Sequence, residues 1–440
     1  MDDDMKYLPF SFLSTVSLLV FLHTPLAYGQ LLPISTGETP GSLSCIYGLT
    51  PYVRGCPISL QTVPTTGSGA IAVIDGVDDP NAFTELQQFS NQFNLNPLPV
   101  CTGSNAPCFE QYYVIPNASP PCISATVANQ AGHNASYYNI LASGSVEPEI
   151  DIEWSHAMAP YASLYMIETQ GFIDDTDPNN PNMTSLTNAI QCAIYLFQQY
   201  NGGKGIVSYS DSIYEWAGET AYDSTFNVPG VIFIASSGDY QAPARYPAAS
   251  PYVIAAGGTM IRRDSAGNYI DQVVWKEPVP VDGKTGATGG PSMYESRPPY
   301  QKYVQKIVGT QRGTPDISFV AQNVDVFCCQ SVSPDNNKCC NVPHKPACET
   351  VSASLCPSTS GAWITDGGTS LASPALAGII NSANSGASTS TQELTYIYNA
   401  AIKNYHSYWT DITIGNNGYS ALPGYDFTTG LGVPRGYGGK

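Results

Sequence analysis

Short apolar runs alternate with longer mixed segments through most of the chain. Runs of this length, rich in Val, Ile and Ala, predict buried strands, and the segments between them have helical or loop character. Strand, crossover and strand again is the pattern of a parallel sheet covered by helices on both faces. We therefore predict an α/β fold with a single domain. The predicted strands are residues 70–75, 164–167, 205–208, 231–235 and 253–256, and the predicted helices are residues 80–93, 189–200 and 373–382.

The N-terminal segment differs from the rest in carrying Lys6 and then an apolar run at residues 7–26, followed by small residues up to Gly29. This arrangement predicts a secretory signal peptide at residues 1–29, with a membrane anchor as the alternative. No later segment has the ~18 consecutive apolar residues needed to span a bilayer. We expect a secreted, extracellular protein, or one delivered to an acidic compartment such as a lysosome or vacuole, without membrane contact after cleavage.

Twelve cysteines fit an oxidising compartment. Six of them lie between Cys328 and Cys356 without C-x-x-C spacing, which favours a disulfide-rich insertion at about residues 327–357 over a zinc site. Cys192, in a helix-like segment, is interpreted as a small buried hydrophobic residue. Three N-x-S/T triplets predict surface glycosylation, at Asn117, Asn134 and Asn182.

The charge balance is strongly acidic, with 35 Asp and Glu against 17 Lys and Arg, a formal charge of −18 at pH 7. No basic surface for nucleic acid is expected from this composition. Much of the negative charge is neutralised near pH 4, which is compatible with an acidic working environment.

A candidate nucleophile lies in the segment Gly-Gly-Thr-Ser that ends at Ser370, directly before the predicted helix. Two glycines permit a tight turn that brings a hydroxyl to a helix N-terminus, where N–H groups favour a developing oxyanion. The structural alternative is a Gly/Ser turn that only caps the helix.

A serine nucleophile requires a base, and the histidines are poorly suited to an acidic medium because they are protonated below about pH 6.5. Two carboxylates are better placed, since Glu147 and Asp151 are four residues apart behind Pro148, at the start of a predicted helix. Their proximity separates their pKa values, so that one can act as base and the other can orient it. The alternative is an acidic first helical turn, the role that we assign to Glu149 and Glu153.

Three further acidic residues complete the set of candidates. Asp239 follows an apolar strand, where functional groups of parallel sheets gather, and a neutral carboxyl there could donate a hydrogen bond to an oxyanion; its structural alternative is to hold the loop. Asp411 and Asp426, with nearby loop carbonyls, offer hard oxygen ligands suited to Ca²⁺.

Taken together, these segments resemble the sedolisins, or serine-carboxyl peptidases, a family that includes kumamolisin and tripeptidyl peptidase. The resemblance covers about residues 39–434, with the motifs in family order. The matching segments are E-x-x-x-D at 147–151, A-P-Y-A-S at 159–163, S-S-G-D at 236–239, Y-P-A-A-S-P-Y at 246–252, R-P-P-Y-Q at 297–301, R-G-T-P-D-I-S at 312–318, G-G-T-S-x-x-x-P at 367–374 and the stretch from D-I at 411–412 to G-L-G at 430–432.

The resemblance implies a subtilisin-like fold and a peptidase domain at residues 30–440, acting on peptide or protein substrates as a monomer. It implies Ser370 as nucleophile, Glu147 as general base and acid, Asp151 as the residue that orients Glu147, and Asp239 in the oxyanion hole. It also implies one structural Ca²⁺ in the C-terminal loops, at about residues 411–432. Its ligands would be the carboxylates of Asp411 and Asp426 and the carbonyls of Ile412, Leu422 and Gly424.

Some features depart from the family, and two rival functions remain open. The resemblance begins soon after the predicted signal peptide, without the large prodomain of the family, and an aromatic-glycine pair of the family's cleft is replaced by Asp211 and Ser212. One rival is a subtilase that uses Asp75 and a histidine, His133 or His156, with Ser370. The other is a catalytically silent secreted protein that binds through the Cys-rich insertion.

Overall fold

The structure is a computed structural model that describes residues 36–103, 107–141, 146–277, 285–328 and 362–440, together with the backbone of residues 349–350. The described residues belong to one compact unit, Pro33–Lys440. The predicted signal peptide at residues 1–29 and most of the predicted insertion at residues 327–357 lie outside the described residues.

The secondary structure alternates between strands and helices, as the hydrophobic pattern predicts, and all five predicted strands are present. The strands are β1 Ala70–Asp75, β2 Phe109–Val114, β3 Cys122–Ser124, β4 Ser163–Glu168, β5 Gly205–Tyr209, β6 Ile213–Tyr214, β7 Val231–Ser236, β8 Arg245–Tyr246, β9 Ile254–Arg263, β10 Tyr269–Val274, β11 Gly290–Ser296, β12 Gln311–Thr314, β13 Ile317–Val320, β14 Val324–Cys328, β15 Glu349–Thr350, β16 Ala362–Asp366, β17 Trp409–Thr410 and β18 Val433–Pro434.

All three predicted helices are also present, although their bounds differ. The segment predicted at residues 373–382 begins earlier, at Thr369, and the one predicted at residues 189–200 begins at Thr184. No helix among the described residues has the length and apolar character to cross a membrane. The α-helices are α1 Pro40–Ile46, α2 Ala82–Gln92, α3 Ala125–Gln130, α4 Glu147–Met158, α5 Thr184–Tyr200, α6 Gln305–Val308, α7 Thr369–Ala383 and α8 Ser390–Tyr408, and the 3₁₀ helices are Ala135–Tyr138, Glu219–Phe226 and Pro299–Val304.

Among the described residues, the central sheet has nine strands: eight in the order β10-β9-β7-β5-β1-β4-β2-β3, and β13, which pairs with β9. The five strands from β7 to β2 are parallel to one another, so their carboxyl ends meet at the same edge. β3 and β10 run antiparallel to their neighbours. The predicted α/β class with a parallel sheet is confirmed.

Helices cover both faces of this sheet. α5 packs on the face that carries Ala70, Ala72 and Val207. α7 covers the opposite face, where the hydroxyls of Ser208 and Ser373 lie 2.8 Å apart. α4 packs against α7, α2 and β14 and is therefore buried on every side, from Pro148 to Met158.

The burial of α4 corrects the interpretation of Glu149 and Glu153. Both were predicted to belong to an acidic first helical turn. Glu149 does lie in the first turn of α4 whereas Glu153 lies beyond it, and their exposed fractions are 1% and 0%. Glu153 accepts a hydrogen bond from the Phe327 backbone at 3.1 Å. Packing of α4 between other elements therefore overrides the surface role that the local sequence suggests.

Three disulfides join described residues: Cys45–Cys56, Cys101–Cys108 and Cys122–Cys192. Cys192 is buried, as predicted, and the structure adds that its disulfide links α5 to β3 across 70 positions of sequence. Spacing alone could not reveal a partner so distant in the chain.

Candidate active site

Ser370 is the second residue of α7 and lies in the wall of a cleft of about 710 Å³ at the carboxyl ends of the parallel strands. The turn that precedes it requires glycine, because Gly368 has φ +117° and a Cβ there would lie 2.9 Å from Asp239 Oδ2. The Ser370 hydroxyl donates a hydrogen bond to the Ser210 carbonyl oxygen at 3.1 Å. The turn thus holds the hydroxyl at the helix N-terminus, as the sequence predicts.

Glu147 begins α4, and its carboxyl is hydrogen-bonded to the Ser370 side chain. Burial raises the pKa of Glu147 well above its usual range, and the nearby carboxylates of Asp75 and Asp239 raise it further. The hydrogen bond with Ser370 opposes that rise. The structure therefore brings together the predicted nucleophile and the predicted base.

Asp151 lies one turn along α4 and is fully buried. Its Oδ1 accepts a hydrogen bond from the Ser210 hydroxyl at 2.7 Å, and the same hydroxyl lies 3.2 Å from the Ser370 carbonyl oxygen. Burial raises the pKa of Asp151 well above its usual value, and the charges of Asp75 and Glu147 act in the same direction. Asp151 thus contacts Ser370 through Ser210 and is electrostatically coupled to Glu147.

Ser210 was not among the predicted site residues. It follows the carboxyl end of β5, at the edge of the sheet where functional groups gather, and this position is the only signal that could have indicated it. Asp366, at the end of β16, was missed as well, although its charge acts on both Glu147 and Asp239.

Asp239 lies in the loop after β7, on the cleft side of Ser370. Its Oδ1 accepts hydrogen bonds from the Thr369 backbone at 2.8 Å and the Thr369 hydroxyl at 2.7 Å. Its Oδ2 lies beside Gly368, next to Ser370. Burial raises the pKa of Asp239, the contacts with Thr369 oppose that rise, and the charge of Asp366 adds to it. A neutral carboxyl that accepts hydrogen bonds through one oxygen can donate a hydrogen bond from the O–H of the other oxygen.

The histidines occupy positions that do not fit a subtilase triad. His156 is buried inside α4, where burial lowers its pKa to about 4. His133 stacks on the Tyr137 ring, with 3.7 Å between centroids. Within the described part of the chain, neither histidine forms a hydrogen bond with Asp75 or Ser370. Asp75 is fully buried at the end of β1, and burial followed by the charge of Asp79 raises its pKa to about 8.

In the C-terminal loops, the carboxylates of Asp411 and Asp426 contact the backbone of two other predicted calcium ligands. The Gly424 backbone N–H donates to Asp411 Oδ2 at 3.0 Å, and the Leu422 backbone N–H donates to Asp426 Oδ2 at 2.8 Å. Ile412 is buried beside Asp411. These contacts bring two carboxylates and the backbone of three residues into one small region. The chemistry of this donor set fits a hard cation that binds oxygen.

A second acidic cluster, absent from the sequence predictions, lies behind the active site. Side-chain oxygens of Asp79, Glu85 and Glu149 are within 4.8 Å of one another, and all three residues are buried. Asp79 is hydrogen-bonded to Glu85, and burial raises the pKa of Asp79 and, strongly, that of Glu149. Carboxyl groups this close share protons in acid more readily than they ionise together.

Comparison with curated proteins finds several relatives. The chain is 35% identical over 195 residues to the sedolisin of Pseudomonas sp. (strain 101), a match that covers 44% of this chain and 28% of the relative. It is 22% identical over 325 residues to tripeptidyl-peptidase 1 of Dictyostelium discoideum, covering 66% of this chain and 46% of the relative. These matches show that the chain is similar to sedolisin and to tripeptidyl-peptidase 1 over part of their lengths.

A solved structure is similar to this chain at the level of fold. Pseudomonas sedolisin, a serine-carboxyl proteinase complexed with pseudo-iodotyrostatin, aligns with a TM-score of 0.58 over 91% of this chain and 95% of that one, at 22% identity. No family model matches the chain. The matched part spans less than half of the length of the two curated sedolisin-family relatives.

Proposed function

We propose that this chain is a secreted, acid-acting serine peptidase, an endopeptidase or a tripeptidyl peptidase, that cleaves peptide bonds through an acyl-enzyme. The observation that carries the proposal is the contact between the Ser370 side chain and the Glu147 carboxyl at the edge of a cleft, with Asp239 beside the same serine. A serine paired with a base and facing a second carboxyl is the arrangement that acyl transfer requires.

In the acylation step, Glu147 in its ionised form removes the proton of the Ser370 hydroxyl. The hydroxyl first turns from the Ser210 carbonyl oxygen towards Glu147. The Ser370 oxygen then bonds to the substrate carbonyl carbon, whose π electrons move onto its oxygen. When the tetrahedral intermediate collapses, the C–N bond breaks and Glu147 returns the proton to the leaving amine. Water releases the acyl group by the same sequence, with Glu147 again as base.

Asp239 would stabilise the negative oxygen that forms during this step. Its Oδ1 is engaged by Thr369, so the proton of the neutral acid belongs on Oδ2, beside Ser370. A donor aimed at a developing oxyanion contributes to rate because it is already oriented before the reaction. Asp151 is a positioning residue that fixes Ser210 and tunes Glu147.

The remaining features of the proposal concern stability and compartment. One structural Ca²⁺ would be held by Asp411 and Asp426 with the carbonyls of Ile412, Leu422 and Gly424. Secretion is supported by the three disulfides, which persist in oxidising compartments. The predicted glycosylation sites are exposed, at Asn117, Asn134 and Asn182.

The test is digestion of a peptide library at pH 3–5, with cleavage products identified by mass spectrometry. We expect cleavage by the wild type and loss of cleavage in Ser370→Ala, Glu147→Ala and Asp239→Ala, each with an unchanged circular dichroism spectrum. Ser382→Ala, on the same helix but outside the cleft, is the matched control and should cleave normally. A wild type that leaves the library intact would indicate the silent binding protein instead.

A further inference from the structure

A second cavity, of about 300 Å³, lies between the sheet and α5. Glu110 and Tyr112 are two residues apart in β2 and therefore point to the same face of the sheet. Glu110 is in register with Tyr165 of β4. Tyr195 and Tyr200 reach the cavity from α5. We call this cavity the tyrosine pocket. Four phenol rings and one carboxyl thus converge in one small volume.

The tyrosine pocket is separate from the peptidase cleft. Glu110 is the second residue of β2, near the amino end of the strand, whereas the cleft lies at the carboxyl ends of β5 and β7. The two cavities share no lining residue. A ligand in the tyrosine pocket would therefore not occupy the position of the scissile peptide.

The wall of the tyrosine pocket is cross-linked. The disulfide Cys101–Cys108 forms one side, and Cys122–Cys192 ties β3 to α5 on another. Tyr112 and Tyr165 pack edge to face at 5.7 Å between centroids, and the Tyr165 hydroxyl donates to Asn201 Oδ1 at 2.9 Å. Such a pocket is formed before a ligand arrives, which lowers the entropic cost of binding.

Glu110 gives the tyrosine pocket its polarity. Only 5% of the residue is exposed, and Oε1 accepts hydrogen bonds from the Thr126 hydroxyl at 2.8 Å and the Thr126 backbone at 3.3 Å. Within the described residues, Oε2 accepts no hydrogen bond, and no Lys or Arg lines the pocket. A carboxylate buried without a cationic partner is costly, so Oε2 is available to a positively charged donor.

We propose that the tyrosine pocket is a second ligand site that binds an alkylammonium group the size of a lysine side chain, with Glu110 Oε2 accepting a hydrogen bond from the ammonium. An ammonium gains from a charged acceptor and from the negative faces of aromatic rings, and four tyrosines line the same cavity as this acceptor. The strong negative charge of the whole chain also attracts cations. Peptides with lysine side chains are the class of partner that this chemistry recognises.

The experiment is isothermal titration of the full-length protein with 1,5-diaminopentane at pH 6, with 1-pentanol as a neutral probe of similar length. Burial raises the pKa of Glu110 above its usual value. The measurement is therefore made at pH 6 rather than at pH 3–5, so that more of the Glu110 carboxyl is ionised. We expect saturable binding of the diamine and none of the alcohol. Glu110→Gln keeps the acceptor for Thr126 but removes the charge, and should weaken binding at least tenfold.

Two further variants keep the test decisive if Glu110→Gln alters folding. Tyr195→Ala should weaken binding severalfold, whereas Tyr195→Phe, which retains the ring, should not. Asp175→Asn removes an exposed carboxylate from the peptidase cleft and should leave the dissociation constant unchanged. Binding of both probes alike, unchanged affinity in Glu110→Gln, loss of affinity in Asp175→Asn, or no saturable heat would each overturn the proposal. None of these outcomes depends on peptidase activity.

Discussion

At the scale of single residues, the chemistry depends on Asp239 remaining protonated while Glu147 is ionised. The two carboxyls have different hydrogen-bond partners. Thr369 donates hydrogen bonds to Asp239, and the Ser370 side chain contacts Glu147. Burial raises the pKa of both groups. In the proposed mechanism, activity rises as Glu147 ionises and falls as Asp239 loses the proton that it donates to the oxyanion, so we expect activity to peak in acid and to decline towards neutral pH.

The first prediction concerns Asp239 itself. Asp239→Ala should lower kcat by about 10²–10³-fold, the usual effect of losing an oxyanion donor. Asp239→Asn can accept from Thr369 and still donate from its amide, so it should retain more activity than Asp239→Ala. Because the amide does not ionise, the decline of kcat at higher pH should move to higher pH in this variant. The measurement is kcat as a function of pH for the three proteins, and identical profiles in all three would contradict the assignment.

The sequence identifies such residues when a local pattern surrounds them. Ser370 stands in a Gly-Gly-Thr-Ser turn before a helix, and Asp239 follows an apolar strand, so both were predictable as candidates. Ser210 and Asp366 have no comparable pattern. Ser210 follows β5 of the central sheet and Asp366 ends β16 of a separate sheet, so only tertiary packing brings both to the active site.

At the scale of elements, α4 explains why the acidic residues were partly misjudged. Periodicity distinguishes a buried face from an exposed face, but α4 has no exposed face after Glu147, since α2, α7 and β14 surround it. Glu149 and Glu153 therefore look like surface residues in the sequence, although their partners come from other elements. Burial of this kind depends on tertiary packing that a local pattern does not contain.

The second prediction belongs to this scale and concerns the C-terminal loops. If they hold Ca²⁺, chelation with EDTA should lower Tm at pH 5, and added Ca²⁺ should restore it. A site filled at about a hundredfold excess over its dissociation constant contributes about 2.7 kcal/mol. Asp411→Asn should reduce the response to Ca²⁺, whereas the exposed Asp177→Asn should not. Equal Tm values with EDTA and with Ca²⁺ would argue against a structural ion.

At the scale of the whole molecule, buried carboxyl pairs recur away from the cleft. Glu215 is hydrogen-bonded to Glu219, and Asp223 is hydrogen-bonded to Glu295, across β6, the 3₁₀ helix Glu219–Phe226 and β11. Burial raises the pKa of Glu219 to about 10 and that of Glu295 to about 8. Arg312 is the cation whose charge acts on Glu295, and it opposes the rise. The fold as a whole therefore holds more protons than the unfolded chain above pH 4.

The consequence is a stability that falls as pH rises. Carboxyls with raised pKa values stabilise the folded state fully below their unfolded pKa of about 4.3, and they lose this contribution as pH approaches the folded values. The free energy of unfolding should fall by about 1.4 kcal/mol per pH unit for each excess proton between pH 5 and 8. Urea unfolding at several pH values measures this slope. Glu219→Gln should make this slope shallower, whereas Asp177→Asn should leave it unchanged. A slope of zero in the wild type would contradict the raised pKa values of the carboxyl pairs.

The fold class was predictable from the chain because strand and helix signals are local, and the tyrosine pocket was not. Glu110 and Tyr112 lie far in sequence from Tyr195, and a disulfide between Cys122 and Cys192 helps to bring them together. Features assembled from distant segments become visible only in three dimensions.

The central claim is that Ser370 is a nucleophile activated by Glu147 in acid. The direct measurement is reaction with a fluorophosphonate probe at pH 4, followed by mass spectrometry of the digested protein. The account predicts a single phosphonyl adduct on the Ser370 hydroxyl, absent in Ser370→Ala and formed much more slowly in Glu147→Gln. An adduct on another residue, or an equal rate of labelling in Glu147→Gln, would contradict it.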